Sequence, residues 1–207
     1  MIKIGFELEA FCLKDKPILV PTELPYDECG WLVEVRSEPH TDVEKAVHLL
    51  LAEKKVVEAK ARELEVSLLF EPLLEIPRDL KVQAARLHTK GLISYRNLYE
   101  HETHKCSTRF ATASLHISFT NERCFNYKKH LCCAKNHTEE QVFKYQGFID
   151  HAKYIVALDK AFKSEISKAK RNPGFYEIKS DGRIEYRSLP NNIDLDKLSN
   201  VLTDLLK

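Results

Sequence analysis

Four segments far apart in the chain share one alternation. In residues 2–9, Ile2, Ile4, Phe6 and Leu8 alternate with Lys3, Gly5, Glu7 and Glu9. In residues 31–37, Val33 and Val35 oppose Glu34 and Arg36, with Glu38 next on the polar side. In residues 114–119, Leu115, Ile117 and Phe119 oppose Ser114, His116 and Ser118; in residues 182–188, Ile184 and Tyr186 oppose Arg183, Glu185 and Arg187. A period of two is that of a β-strand. Each segment therefore predicts a strand with one apolar face and one face of acids, histidine or arginine. If the apolar faces share a core, the charged faces share the other side. Glu7 and Glu9 then point the same way, where unshielded like charges repel. A solvated sheet face accounts for charge in general. The residue types are more selective than that, since acids, one histidine and arginines recur while lysine stays at the fringes (Lys3, Lys179). Periodicity by itself leaves a solvated sheet and a functional concave face both open.

The remaining chain supplies helices. Thr41 and Glu44 have capping-box spacing, and Val43, Ala46, Val47, Leu50, Val57, Ala61 and Leu64 mark one helical face behind them. A short strand is expected at 17–20, strand composition broken by Pro72 at 66–76, helix at 79–104 and strand at 110–119. Thr138 and Gln141 repeat the capping spacing and open a helix to about 169, with Val142, Tyr145, Ile149, Ala152 and Val156 inward. A hairpin around Asp181-Gly182 and a last helix from about 194 to 206 complete the pattern. A three-residue loop, Ser180 to Gly182, pairs Glu177 with Glu185 and keeps Ile178 and Ile184 on one side; a one-residue slip would mix the faces. Strands with a few long helices predict an α+β layer.

Length and composition narrow the class. At 207 residues with 43% hydrophobic content the chain is expected to form a single domain, 1–207. The net charge of +1 argues against a general nucleic-acid or membrane-surface binder. No apolar run approaches the roughly 18 residues of a membrane helix. Glu7 and Glu9 stand where a signal peptide needs an apolar core, so the six cysteines are expected to be reduced thiols in the cytoplasm. Cys12 and Cys106 read as small core residues. His130, Cys132, Cys133 and His137 match no usual zinc spacing and read as an irregular loop.

Carboxylates and a histidine converging from several strands suit Mg²⁺ or Mn²⁺, which prefer oxygen ligands, with imidazole tolerated by Mn²⁺. Arginine forks beside them suit phosphate. No P-loop and no G-x-G-x-x-G is present. Arg183 and Lys179 flank the hairpin turn, where phosphate contact and simple solubility are equal readings. Arg171, before Asn172-Pro173, is a further phosphate candidate. Glu71 and Glu75 read as strand ends and Trp31 as core.

The segments "IGFELE" (4–9), "YDECGWLVEVRSEP" (26–39), "SLHIS" (114–118) and "GRIEYRSLP" (182–190) occur in an order that resembles the amidoligase family, carboxylate–amine ligases related to γ-glutamylcysteine ligase and glutamine synthetase. The likeness spans residues 4 to 190. It implies a curved antiparallel sheet with helices on its convex face and a site on the concave one. It implies ATP held by Mg²⁺ or Mn²⁺, phosphorylation of a carboxylate substrate to an acyl phosphate, and attack by an amine substrate. By position, Glu7, Glu9, Asp27, Glu34, His116 and Glu185 would be metal ligands. Arg187 would bind phosphate and, with Glu34, serve catalysis. The chain departs from the family in its short length, in Ser118 where some members carry a second histidine, and in Arg36 and Glu38, which match no assigned position. A metal-dependent phosphohydrolase or nuclease, and a non-catalytic nucleotide- or protein-binding domain, are the alternatives.

Overall fold

The computed structural model describes residues 1–27, 30–80, 96–99, 110–121, 151–179 and 183–207. They form a mixed α+β structure built on an antiparallel sheet. The long first strand, β1 (Lys3–Lys14), is its hub. It pairs with β2 (Lys16–Pro17), β3 (Leu32–Arg36), β4 (Ser67–Leu69) and β8 (Ser114–Thr120). The sheet continues from β8 through β10 (Ile184–Pro190) and β9 (Phe175–Ile178) to β6 (Arg96–Asn97). A separate two-stranded sheet joins β5 (Leu73–Glu75) to β7 (Phe110–Thr112). The helices are α1 (Val43–Glu63), α2 (His151–Ala161), α3 (Lys163–Lys168) and α4 (Leu195–Leu206).

The alternating residues sort as strand geometry requires. Ile4, Phe6, Leu8, Val33, Val35, Leu115, Ile117, Phe119, Ile184 and Tyr186 enter one buried apolar cluster. Ala46 and Leu50 of α1, Ile155 and Leu158 of α2, Ile166 of α3 and Leu198 and Leu202 of α4 complete it. The last hairpin has the register that segregates its faces: Ile184 opposes Ile178, Glu185 opposes Glu177 and Tyr186 opposes Tyr176. The Lys179 amide donates to the Arg183 carbonyl at 3.0 Å, continuing that register.

Other expectations are corrected. Helix α1 is capped by Asp42, whose carboxylate accepts from the Lys45 amide at 3.0 Å, and not by the Thr41 capping box. A carboxylate at that position also faces the positive end of the helix dipole. The short second strand falls at Lys16–Pro17, and 110–119 divides at Ala113, whose amide turns to the Pro72 carbonyl. Arg96–Asn97 is strand, not helix, because it pairs with β9. Most of 79–104, the Cys132/Cys133 loop, Cys106 and the Thr138–Gln141 cap lie outside the described residues. The helix ending near 169 is interrupted at Phe162, and Val156 points outward at 47% exposure. Tyr154, Ile155 and Leu158 turn inward instead. Larger side chains bury more apolar area than Ala152 and Val156 would, and Tyr154 stacks on Phe119 with ring centroids 4.8 Å apart.

One turn fixes the approach to β9. Gly174 has φ +81°, and a Cβ there would lie 2.7 Å from Cδ2 of Tyr99. Tyr99 in turn donates to buried Asp159 at 3.0 Å, and Tyr186 donates to the same carboxylate at 2.6 Å. Gly174→Ala is expected to destabilise the protein by about 2 kcal/mol, from backbone strain plus the clash. Denaturant unfolding measures this; a change within about 0.5 kcal/mol, the range of neutral surface substitutions, would refute the strained turn.

Candidate metal centre on the polar face of the sheet

Strand register decides which charges meet. Glu7 of β1 stands directly opposite His116 of β8 on one side and Arg36 of β3 on the other. Glu9 stands opposite Glu34. Glu185 of β10 opposes Ser118, which puts it diagonal to His116. Directly opposed and diagonal residues on one face of a sheet are contact neighbours. Two overlapping clusters result, Glu7–His116–Glu185 and Glu7–Glu9–Glu34, each with ligand atoms within 4.8 Å of one another.

This polar face is not a solvated one. Glu9, Glu34, His116 and Glu185 are 6%, 7%, 1% and 2% exposed. Buried charge is expensive unless paired, and pairing is what the site shows. One Glu7 oxygen lies 2.8 Å from His116 Nδ1, and the other accepts from Arg36 Nε at 2.8 Å. Arg36 also reaches Glu34. Glu185 lies 3.7 Å from His116 Nδ1, 3.1 Å from Lys179 Nζ, and against Arg187. Arg187 and Lys179 both extend to Glu177, at 3.3 and 2.8 Å.

Ser114 organises the inner end. Its amide donates to Glu9 at 2.7 Å and its hydroxyl lies 2.5 Å from the same oxygen. An ionised carboxylate only accepts, so the hydroxyl proton goes to Glu9. The serine oxygen then accepts from His116 Nε2, 2.8 Å away. That assigns the Nε2–H to serine and turns Nδ1 toward Glu7 and Glu185. Asn191 braces the same strand, donating to the Glu9 carbonyl at 2.9 Å and the Glu71 carbonyl at 3.1 Å.

Charge state follows from the crowding. Burial raises Glu7, but the hydrogen bond and charge of His116, then Arg36 and Arg187, outweigh it and hold the carboxyl well below its usual range. Burial likewise acts on Glu185, and His116, Arg187 and Lys179 pull it down. Glu34 goes the other way: burial and the neighbouring Glu7 push it up to about 8 against the pull of Arg36. A raised acid keeps a proton in the folded state that the unfolded chain has released. Without metal, Glu34 therefore contributes stability that is full below about pH 4.5 and is lost as pH rises through about 8. Glu34→Gln is expected to flatten that fall. Thermal unfolding across pH 5 to 8 in a chelator tests it, and parallel slopes for variant and wild type would refute it.

Of the residues singled out from sequence, Glu7, Glu9, Glu34, His116 and Glu185 come together, with Arg187 and Lys179 beside them. Asp27 joins neither three-residue cluster; its carboxylate accepts from the Trp31 and Leu32 amides at 2.6 and 2.9 Å and shapes the loop into β3, while its charge still raises Glu34. Arg171 donates to the Ser188 and Arg187 carbonyls at 3.1 and 2.7 Å. These carbonyls sit where the β8–β10 register shifts between Tyr186 and Leu189, so the guanidinium serves groups that the bulge takes off the ladder. Arg183 is half-buried at the start of β10. Buried Cys12 has its thiol pushed up to about 11 by burial, as a core residue would. Sequence reading left Arg36 unassigned and gave no role to Ser114 or Asn191. Arg36 did show the right alternation with Glu34; the bonds of Ser114 and Asn191 to Glu9 span 105 and 182 residues and leave no local signal.

The donor set, four carboxylates and one imidazole at short separations, fits Mg²⁺ or Mn²⁺ and lacks the thiolates that softer metals favour. Compared with models of known families, the chain matches none, and no curated protein is significantly similar to it.

Proposed function

We propose that this protein is an ATP-dependent carboxylate–amine ligase similar to the amidoligases, its sheet curved around the acidic site with the helices on the convex side. The observation that carries the reading is the buried convergence of Glu7, Glu9, Glu34, His116 and Glu185 beside Arg187 and Lys179. That is the equipment of phosphoryl transfer: oxygen-rich metal ligands next to fixed cations. Mg²⁺ or Mn²⁺ bound there would neutralise phosphate charge and orient ATP.

This chain's own residues do the rest. A carboxylate resists amines because its leaving group would be oxide. Transfer of the γ-phosphoryl group to it gives an acyl phosphate, from which an amine displaces phosphate to leave an amide. Arg187 offers forked donors to the transferring group. Lys179 adds a point charge, and Arg183, just before β10, would extend the cationic rim. Glu34, raised only while the site is without metal, would give up its proton to serve as an ionised ligand once a divalent cation binds, beside the reacting groups.

Among the described residues no helix is long and apolar enough to cross a membrane. A cytoplasmic enzyme supplied with ATP is the setting the reading requires.

The test is a screen of amino acids and amines for phosphate release from ATP with Mg²⁺, wild type against Glu185→Gln. Release that needs both a carboxylate and an amine supports the ligase. Release that needs neither marks a phosphohydrolase, and nucleotide binding with no turnover marks a non-catalytic domain.

A further inference from the structure

Arg36 lies where a cation would lie. Its Nε is 2.8 Å from one Glu7 oxygen, and its Nη2 contacts Glu34. Those are two of the three carboxylates of the Glu7–Glu9–Glu34 cluster. A divalent ion between these acids would need the same lone pairs, and its charge would repel a guanidinium in contact with them. Exposure shows which partner can give way. The Arg36 side chain is 64% exposed, against 16% for Glu7 and 8% for Glu34. The arginine reaches in from solvent, whereas the acids are held by strand register. Arg187, the corresponding cation at Glu185, is only 16% exposed and bridges to Glu177.

We propose that Arg36 is a displaceable internal counter-ion. It neutralises the Glu7–Glu9–Glu34 pocket when no metal is bound, and it swings outward when a divalent cation enters. Displaced, its fork stands at the mouth of the pocket, where an anionic phosphate group on the metal would meet it. Metal entry is thereby disfavoured alone and favoured together with a phosphate ligand. This inference rests on the metal-dependent reading of the site.

The experiment titrates the full chain with Mn²⁺ alone. Free Mn²⁺ is read by electron paramagnetic resonance, and thermal unfolding is followed in parallel, for wild type, Arg36→Gln and Arg36→Lys. Removing the competing cation in Arg36→Gln is expected to tighten Mn²⁺ binding about tenfold, the scale of one partly buried charge pair. The same variant melts lower than wild type without metal and recovers when Mn²⁺ is added. Arg36→Lys, which keeps the charge but cannot fork across two carboxylates, falls between. Mn²⁺ binding that is unchanged or weaker in Arg36→Gln, with wild type still binding, overturns the counter-ion role alone. No Mn²⁺ binding by any of the three overturns the metal reading and the counter-ion with it.

Discussion

Wild-type protein is expected to melt several degrees higher in Mn²⁺ than in chelator, and Glu185→Gln is expected to lose most of that rise. A ligand that binds only the folded state stabilises it by mass action, by about 2.7 kcal/mol at 100 times its dissociation constant. For a chain of this size that corresponds to roughly 5–10 °C. Glu185 is central to the effect because it is 2% exposed and shares the cluster with Glu7 and His116. Glutamine keeps the shape but removes the charge that a cation needs. Without metal the same substitution leaves Lys179 and Arg187 short of one acidic partner, so the variant starts lower as well as responding less. A melting temperature indifferent to Mn²⁺ and to Mg²⁺ in wild type and in Arg36→Gln alike would remove the basis of the metal centre.

His116→Ala is expected to do two separable things. The ring is 1% exposed and touches Glu7 and Ser114 while lying within 3.7 Å of Glu185. Its loss leaves Glu7 and Glu9 facing each other without the imidazole, which costs about 1–3 kcal/mol of stability in chelator. Mn²⁺ should not fully restore it, since one donor is missing. Phosphate release from ATP should fall by a hundredfold or more, the scale of losing one preorganised electrostatic contact. Arg187→Lys separates chemistry from folding: charge is retained, the fork is lost, and phosphate release should fall with circular dichroism unchanged. A collapse of the dichroism in Arg187→Lys would make the residue structural, and full activity in either variant would sink its assigned role.

Much of this arrangement was legible in one dimension. Alternation of period two assigns each side chain to a face, whatever the strand later pairs with, and so Val33 and Val35 could be placed against Glu34 before any contact was known. The hairpin register followed from the same rule, since any slip would have put Glu185 among Ile178 and Tyr186. The helical face of α1 was equally plain, since Ala46, Leu50 and Ala61 recur on one side of a long run. The face of α2 was not: small and large apolar residues alternate around it, and packing against Phe119 chose the large ones.

What the sequence by itself determined is therefore local: which side of each strand is apolar, which charges are available, and how the last hairpin closes. The tertiary structure decided that the charged sides meet and that they are buried. Glu7 and His116 are 109 residues apart and Glu9 and Asn191 are 182 apart, and only strand order and register bring them into contact. It also decided that Asp27 holds a loop, that Arg36 pairs with both Glu7 and Glu34 and that Ser114 meets the histidine. Periodicity is set by the geometry of a single chain segment, whereas pairing across a sheet depends on which distant segments share an edge, and no repeat in the sequence encodes that.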